Sequence, residues 1–492
     1  MKNSNGKHPI TRREFLKLAG VSALALTTGC GRNSAEEPAP AVDFGTPDVE
    51  ISLSTQEVDW ELAPGKVIRA WTYDGQVPGR TIRVREGDRV KIVLKNDLPE
   101  PTTIHWHGID VPSDMDGVPE ISQPAVKPGE SFTYRFVAQP AGTRWYHTHF
   151  NSAHQMDLGL SAPFIIEPAS PEPPVDREYT LLLDDWLTDS PPPENAPPDG
   201  GMMGPGMMGG MMDGIMGEGG PVYDTFTLNG RAYPAAEPLV VKQGERVRLR
   251  LINASNMQTF TLRLAGHRFQ VTHTDGNPLQ SPVEVDALPI APAERYDVIV
   301  EARNPGRWPL YALDPVHTEG GLRTTVVYEG FERASEAEVR YSANGLVLWS
   351  YFSGQGLDRL PQATGRRRSY ELTLSGGMMM GQSPEVWTIN GKRFPKTDLL
   401  KASRDQPVFV RLSNMSMQAH PFHLHGQSFR VLSINGQTLP APLIKDTVDV
   451  PAMMGTVDLE FTAFNPGDWL FHCHKPMHMD GGMATLVAVQ ST

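Results

Sequence analysis

Ten of the fifteen histidines stand in short clusters whose spacing is that of metal ligands. The first two clusters are His105-Trp106-His107 and His147-Thr148-His149; the third contains His420, His423 and His425; the fourth is His472-Cys473-His474 with His478 beyond it. In a β-strand, side chains two residues apart point to the same face, so each His-x-His pair directs two imidazoles into one space. Together the clusters predict a site for several metal ions.

Cys473 adds a thiol to this set and stands between two of the histidines. On a strand its side chain points away from those of His472 and His474, so one tripeptide can serve two sites. A Cys with two His and a weak Met is the ligand set of a blue-copper centre. Pro421 and the uneven spacing separate His420 from the other two histidines of its cluster, so His420 can join Cys473. Zinc is the competing metal, but a structural zinc site needs only four ligands, and these clusters contain more than that.

Methionine is concentrated near these clusters and in a segment rich in Gly and Pro. Thioethers are soft ligands that suit Cu(I), although flexible Met side chains also fill gaps in cores. The packing role is weak for 202–216, where Gly and Pro leave little core to fill, and stronger for Met453 and Met454. The candidate Cu(I) substrate ligands are therefore Met202, Met203, Met207, Met208, Met211, Met212, Met216, Met378, Met379, Met380, Met415 and Met417.

Short strands must position these side chains. A Gly-containing turn followed by alternating apolar and polar residues occurs three times, within 73–96, 228–253 and 389–414. This pattern indicates strands, and its recurrence about every 150 residues indicates three β-sandwich domains. The 46 Gly and 44 Pro suit an all-β protein with many turns. The predicted domains are 46–170, 171–335 with a Met-rich loop at 201–217, and 336–492.

Composition excludes several classes of protein. The net charge of −13 and the lack of a long basic run disfavour nucleic acid as a partner. No apolar run beyond the N-terminus approaches the ~18 residues of a membrane helix. Cys30 and Cys473 lie in unrelated contexts, which rules out a disulfide framework.

The N-terminal residues 1–30 have the composition of an export signal. Residues 11–17, Thr-Arg-Arg-Glu-Phe-Leu-Lys, match the twin-arginine pattern and precede an apolar run from Leu18 to Leu26. Residues 26–30 resemble a lipoprotein cleavage box with Cys30 as the acylated residue; removal of Cys30 with the signal is the alternative. Residues 31–45 read as a flexible tether. We expect a periplasmic or otherwise extracytoplasmic protein, attached to a membrane only through that lipid.

The four motifs resemble those of the multicopper oxidases, the family of laccases, ascorbate oxidase and bacterial cuprous oxidases, over nearly the whole mature chain. The resemblance implies three cupredoxin-like Greek-key domains and four copper ions. It implies His420, Cys473, His478 and Met483 as type 1 ligands, His105 and His423 as type 2 ligands, and His107, His147, His149, His425, His472 and His474 as type 3 ligands. The family's trinuclear cluster lies between the first and third domains, and the aligned middle stretch 259–263 lacks ligands here too.

The resemblance also implies a reaction, in which one-electron oxidation of four substrate molecules is coupled to reduction of O₂ to two waters. Asp116 matches an acidic residue that bacterial relatives use near the cluster, and it is the candidate proton donor. Its alternative role is that of a turn residue before Gly117. Met477 is a departure, because many bacterial relatives carry a carboxylate just before the type 1 His; the proton path must therefore differ or use water.

Three functions are compatible with these residues. We favour a cuprous oxidase in copper tolerance, with Cu(I) and O₂ as substrates, acting as a monomer. A laccase-like phenol oxidase is the second reading. A non-enzymatic copper-sequestering lipoprotein would explain the methionines but not the full histidine set. Copper nitrite reductases share the cupredoxin fold but typically lack His-Cys-His. Of the remaining histidines, His8 belongs to the predicted signal. The other four are expected to be structural: His154, His267, His273 and His317.

Overall fold

Alternating apolar and polar residues fold as strands throughout the described chain. The computed structural model describes residues 44–188, 222–377 and 386–491. In Arg89–Asn96 every second side chain is buried, and Pro407–Asn414 shows the same alternation. The predicted strands of the repeated units are therefore confirmed, although the middle one, Arg246–Asn253, is buried on both faces. The predicted signal with Cys30, most of the tether, the 201–217 segment and Met378–Met380 lie outside the described residues.

The first sandwich consists of two four-stranded sheets, ordered β2-β1-β4-β6 and β3-β8-β7-β5. Its strands are β1 (Val49–Ala63), β2 (Lys66–Tyr73), β3 (Ile82–Arg85), β4 (Arg89–Asn96), β5 (His105–His107), β6 (Ser131–Val137), β7 (Gly142–His147) and β8 (Ser161–Glu167). A 3₁₀ turn covers Ser113–Met115, and helix α1 covers Ser152–Asp157.

The middle sandwich has sheets ordered β10-β9-β12-β17-β14-β15 and β11-β19-β18-β13-β16. Its strands are β9 (Arg177–Trp186), β10 (Thr225–Leu228), β11 (Leu239–Val241), β12 (Arg246–Asn253), β13 (Phe260–Leu264), β14 (Phe269–Thr274), β15 (Asn277–Val285), β16 (Leu288–Ile290), β17 (Arg295–Glu301), β18 (Arg307–Ala312) and β19 (Arg323–Tyr328). Helix α2 is Pro315–Glu319.

The third sandwich repeats this strand order, with sheets β21-β20-β23-β28-β25-β26 and β22-β30-β29-β24-β27. Its strands are β20 (Arg368–Gly376), β21 (Trp387–Ile389), β22 (Leu400–Ser403), β23 (Pro407–Asn414), β24 (His420–Leu424), β25 (Phe429–Ile434), β26 (Gln437–Lys445), β27 (Thr447–Val450), β28 (Thr456–Thr462), β29 (Gly467–Cys473) and β30 (Ala484–Gln490). Helix α3 is Pro476–Asp480.

The architecture is all-β, as the sequence predicts. Apolar residues on the inner faces of the sheets form the core, and Trp106 and Trp469 are among its fully buried side chains. The three helices are one to two turns long, and none in the described ranges has the length and apolar character of a membrane-spanning segment.

Candidate metal centre

Strand register brings the histidine motifs together in pairs. In the first sandwich β5 and β7 are antiparallel, and His105 lies opposite His147. In the third, β24 and β29 are antiparallel, with His423 opposite His472. The short strands β5 and β24 are buried along their whole length. Seven of the candidate ligands therefore stand on paired strands, and His149, His425 and His474 follow within two residues of the ends of such strands.

Imidazoles of the first and third sandwiches meet with their Nε2 atoms facing each other. His105 Nδ1 donates to the backbone carbonyl of Asp116 at 2.9 Å, and His423 Nδ1 donates to that of Asp446 at 2.9 Å. A carbonyl oxygen can only accept, so each Nε2 carries a lone pair. These two Nε2 atoms are 3.4 Å apart. Two lone pairs at that distance repel each other unless a cation stands between them, so the donor set fits a metal ion.

A second facing pair repeats this arrangement. His472 Nδ1 donates to the carbonyl of Cys473 at 2.8 Å, and His425 Nδ1 donates to Asp116 Oδ2 at 2.8 Å. Their Nε2 atoms are 3.1 Å apart, with His149 packed against both rings. His147 and His474 form a third pair, with Nε2 atoms 3.4 Å apart.

Ligand atoms of the eight histidines converge in three groups, of which the first two share His107, and Asp116 lies in a further group with His105 and His425. Within each group all ligand atoms lie within 4.8 Å of one another, and the groups are His105–His107–His423, His107–His147–His474 and His149–His425–His472. Adjacent groups are the arrangement that a cluster of metal ions requires, and a single ion would leave most of these donors unused.

A separate group surrounds the thiol. Cys473 Sγ lies 3.5 Å from His420 Nδ1 and 3.6 Å from His478 Nδ1, and the two nitrogens are 3.1 Å apart. Met483 is fully buried, and its carbonyl accepts a hydrogen bond from the Cys473 amide at 3.1 Å. The structure thus separates Cys473 from His472 and His474, as strand alternation predicts. His420 lies with the thiol and not with the other histidines of its motif.

Burial keeps these donors in the form that binds metal. Desolvation lowers the pKa of His147, His149, His423 and His425 well below the ordinary value, and it lowers that of His472 to about 4. The imidazoles are therefore neutral near pH 7. Burial also raises the pKa of the Cys473 thiol to about 12. A thiolate there needs a bound cation to be stable.

His107 differs from the other histidines of the cluster in its hydrogen bond. Its Nε2 lies 3.0 Å from Asp446 Oδ1 and 3.2 Å from Thr447 Oγ1. Because the carboxylate accepts, Nε2 carries the proton and the lone pair is on Nδ1, which has no hydrogen-bond partner. Nδ1 is thus the atom that His107 offers to a metal.

Asp116 lies at the cluster and also ends a turn. It follows the 3₁₀ turn Ser113–Met115, its Oδ2 accepts from His425, and its Oδ1 is 3.2 Å from His105 Nδ1. Asp116 thus lies both at the cluster and at the end of a turn, and its role as proton donor stays a prediction. Its carboxylate bridges histidines of the first and third sandwiches.

The histidines expected to be structural lie apart from these groups. His154 packs edge-on against Trp71, His267 hydrogen-bonds to Tyr328 Oη at 2.7 Å, and His273 contacts Glu172. Sequence reasoning missed Asp446 and Trp145, whose indole lies 4.3 Å from the His147 ring. The signal available for Asp446 was a Lys-Asp pair that stands between the strand-forming residues Leu443-Ile444 and Thr447-Val448.

Comparison with known proteins identifies the family. Three multicopper oxidase profiles match residues 54–171, 177–330 and 367–492. The chain is 32% identical to the multicopper oxidase MmcO of Mycobacterium tuberculosis, over 98% of this chain and 97% of that protein. This chain belongs to the multicopper oxidase family. It is therefore an oxidoreductase, and the metal that its histidine groups fit is copper.

A further relative and a solved structure are similar to this chain over most of its length. A copper resistance protein A homolog of Pseudomonas syringae is 27% identical over 98% of this chain and 99% of its own length. The solved multi-copper oxidase of Pseudomonas thermotolerans aligns with a TM-score of 0.69 and 29% identity, over 90% of this oxidase and all of that chain. The cupredoxin-like β-sandwich fold expected from the motifs is thus confirmed.

Proposed function

We propose that this oxidase oxidises Cu(I) and passes the electrons to O₂, as part of copper tolerance. The balanced reaction is 4 Cu(I) + O₂ + 4 H⁺ → 4 Cu(II) + 2 H₂O. The observation that carries the proposal is a group of four exposed methionines beside the thiol site, Met415, Met417, Met453 and Met454, with 42%, 47%, 71% and 75% of their surface accessible. Exposed thioethers are soft ligands for Cu(I).

Two neighbouring loops carry these methionines. The amide of Met453 donates to the carbonyl of Ser416 at 2.9 Å, and the amide of Met454 donates to that of Asn414 at 2.8 Å. Ser416 Oγ in turn lies 2.7 Å from His420 Nε2. The exposed methionines thus lie on two hydrogen-bonded loops, and one of these loops contacts a proposed ligand of the electron-accepting copper through Ser416.

The packing role expected for Met453 and Met454 is wrong. Both side chains are exposed, and both residues adopt positive φ, 53° and 67°. Left-handed backbone is unfavourable for a residue with a side chain, so nothing local favours Met at these positions. We include both among the candidate substrate ligands, with Met415 and Met417.

The proposed resident copper sites follow the observed groups. His420, Cys473, His478 and Met483 would hold type 1 copper; His105 and His423 would hold type 2; His107, His147, His149, His425, His472 and His474 would hold the type 3 pair. Copper supplies one-electron chemistry and O₂ binding when it is present. Cys473 is covalently joined to His472 and His474, so the peptide itself links the two sites. Asp116 would hold a proton-relaying position between His105 and His425.

Laccase-like oxidation of phenols is the second candidate. It is favoured by the relatives named laccase, among them Laccase-4 of Thanatephorus cucumeris, which is 30% identical over 82% of each chain. Against it stand the four exposed methionines on the loops next to His420, because an organic donor has no need of soft ligands there. The relatives named copper resistance protein A support the preferred function.

Export by the twin-arginine route, with acylation at Cys30, also remains part of the proposal. It rests on residues 11–17 and 26–30 of the sequence. The methionines of 202–216 and 378–380, outside the described residues, are further candidates for Cu(I) delivery.

The test replaces the four exposed methionines together by leucine, which keeps the apolar volume and removes sulfur. We expect kcat/KM for Cu(I) to fall several-fold in oxygen-uptake assays, while kcat/KM for a phenol is unchanged. Met257→Leu is the matched control, because Met257 lies in the corresponding loop of the middle sandwich, before β13. A variant that keeps the wild-type Cu(I) rate would contradict the proposal, and a selective loss of phenol oxidation would favour the laccase reading.

A further inference from the structure

The described residues of the middle sandwich include none of the proposed ligands of the resident copper ions, yet one of its side chains reaches the metal centre. Arg295 begins β17, and its guanidinium is fully buried. Both terminal nitrogens donate to the carboxylate of Asp446 in the third sandwich, each at 2.5 Å. Such a two-bonded pair fixes the plane of the carboxylate. Asp446 then contacts His107 of the first sandwich at 3.0 Å.

Further buried groups fix the two ends of this pair. Asp275, also from the middle sandwich, accepts from the backbone amides of Arg295, Asp446 and Thr447 at 3.0, 3.2 and 3.1 Å. Arg144 donates to the carbonyl of Asp275 at 2.5 Å and lies 3.6 Å from Asp446 Oδ2. Buried charges are stable only when they are paired and hydrogen-bonded, so the removal of one partner from this network leaves another buried charge uncompensated.

Lys445 and Gly108 complete the surroundings of the pair. Lys445 Nζ is 3.1 Å from both Asp275 and Glu294, so it neutralises charge next to Asp446. Gly108 follows His107 with φ of +79°, and a Cβ there would stand 2.6 Å from both Arg295 Nη2 and Asp446 Oδ2. Gly108, the residue after His107, therefore leaves room for the ion pair between Arg295 and Asp446.

We propose that Arg295 is a positioning residue for the copper cluster: it orients Asp446, which holds His107 with its Nδ1 lone pair directed at the metal. Four histidines of the cluster donate from Nδ1 to a backbone carbonyl of their own sandwich: His105, His147, His423 and His472. His107 depends on a side chain whose orientation is set by another domain. The inference rests on the proposed ligand set, and it does not depend on which substrate is oxidised.

The test compares Arg295→Gln with wild type after reconstitution with copper. We expect copper to be lost from the cluster to a competing chelator about 10- to 100-fold more readily, which is the usual effect of removing a group that orients a ligand. The blue absorption of the thiol site should be unchanged, and the electron paramagnetic resonance signal of the cluster should be altered. Arg295→Lys, which retains the charge but not the paired bonds, should give an intermediate loss.

Arg250→Gln is the matched control. Arg250 is a buried arginine of the same sandwich; it pairs with Asp297 at 2.9 Å and donates to Thr143 of the first sandwich at 2.9 Å, but it contacts no proposed ligand. We expect this variant to lose stability while it retains copper as wild type does.

Two results would overturn the inference. One is wild-type copper retention in Arg295→Gln; the other is equal copper loss from Arg250→Gln, which would assign the effect to general destabilisation. A different result would refute the proposed ligand set itself: the wild-type protein would then bind copper at the thiol site alone. Because Arg295→Lys preserves the buried charge, it keeps the comparison usable if Arg295→Gln does not fold.

Discussion

The middle and third sandwiches have the same skeleton, and among their described residues only the third contains a group of His and Cys metal ligands. Cys473 of β29 pairs with Phe422, and in the same register Ala312 of β18 pairs with Leu262. The helix after each strand keeps a Pro-x-His sequence, Pro315–His317 in α2 and Pro476–His478 in α3. The backbone therefore does not make the site.

Side chains at corresponding positions explain the difference. Leu322 stands where Met483 stands, since each amide donates to the carbonyl of the preceding helix histidine at 2.9 Å. His317 packs against Phe226 and Phe260 at 4.8 and 5.0 Å. In the third sandwich an equivalent pocket holds His478 against Trp387 and His420. A few substitutions convert one fold from an apolar core to a metal site, which shows that function resides in the site and not in the fold.

The largest effect is expected when Cys473 of the third sandwich is replaced by alanine, the residue at the corresponding position 312 of the middle sandwich. Cys473→Ala should abolish the intense blue absorption and oxidase turnover, because no other described side chain at this site offers a thiolate. The fold should persist, since Ala312 occupies the same register in the middle sandwich. Visible absorption and oxygen uptake measure the result, and a surviving blue band would refute the type 1 assignment.

The next variant separates the two sites. The variant is His425→Ala, because the corresponding residue of the middle sandwich is Ala265. It removes an imidazole whose Nε2 lies 3.1 Å from that of His472. We expect O₂ reduction to fall below detection while the blue absorption is retained, because the thiol group does not include His425. Stopped-flow reoxidation and absorption spectra test this; loss of both signals together would show that the sites are not independent.

A smaller change is expected from Met483→Leu, which copies Leu322. The blue centre should remain, and its reduction potential should rise, because the weak axial ligand is removed. A redox titration against wild type measures the shift. An unchanged potential would mean that Met483 is not the axial ligand.

The smallest effect is expected in the middle sandwich itself. His317→Gln should leave copper content and oxygen uptake at wild-type values, since His317 is packed among aromatic rings and is not part of a ligand group. The free energy of unfolding should fall by about 1 kcal/mol, as for an ordinary core substitution. Copper analysis and thermal unfolding check this, and a loss of copper would end the assignment of His317 as structural.

Most of the site could be predicted from the sequence because its signals are local. Residues two apart on a strand share a face, so His-x-His and His-Cys-His predict that the paired histidines face one cluster and that Cys473 lies apart from it. Alternating burial likewise follows from strand periodicity, and the threefold repeat of one turn-and-strand pattern determines the architecture. No long-range information is needed for these conclusions.

Tertiary structure alone decided which distant groups meet and which are accessible. His105 faces His423 across 318 positions of sequence, and Arg295 meets Asp446 across 151. The charge of Asp446 suggests a surface residue, and its burial is explained only by partners from two other sandwiches. Met453 and Met454 read as core fillers, whereas packing leaves them exposed. Periodicity reports the face of a strand, but burial depends on what folds against that face, which is set by the whole chain.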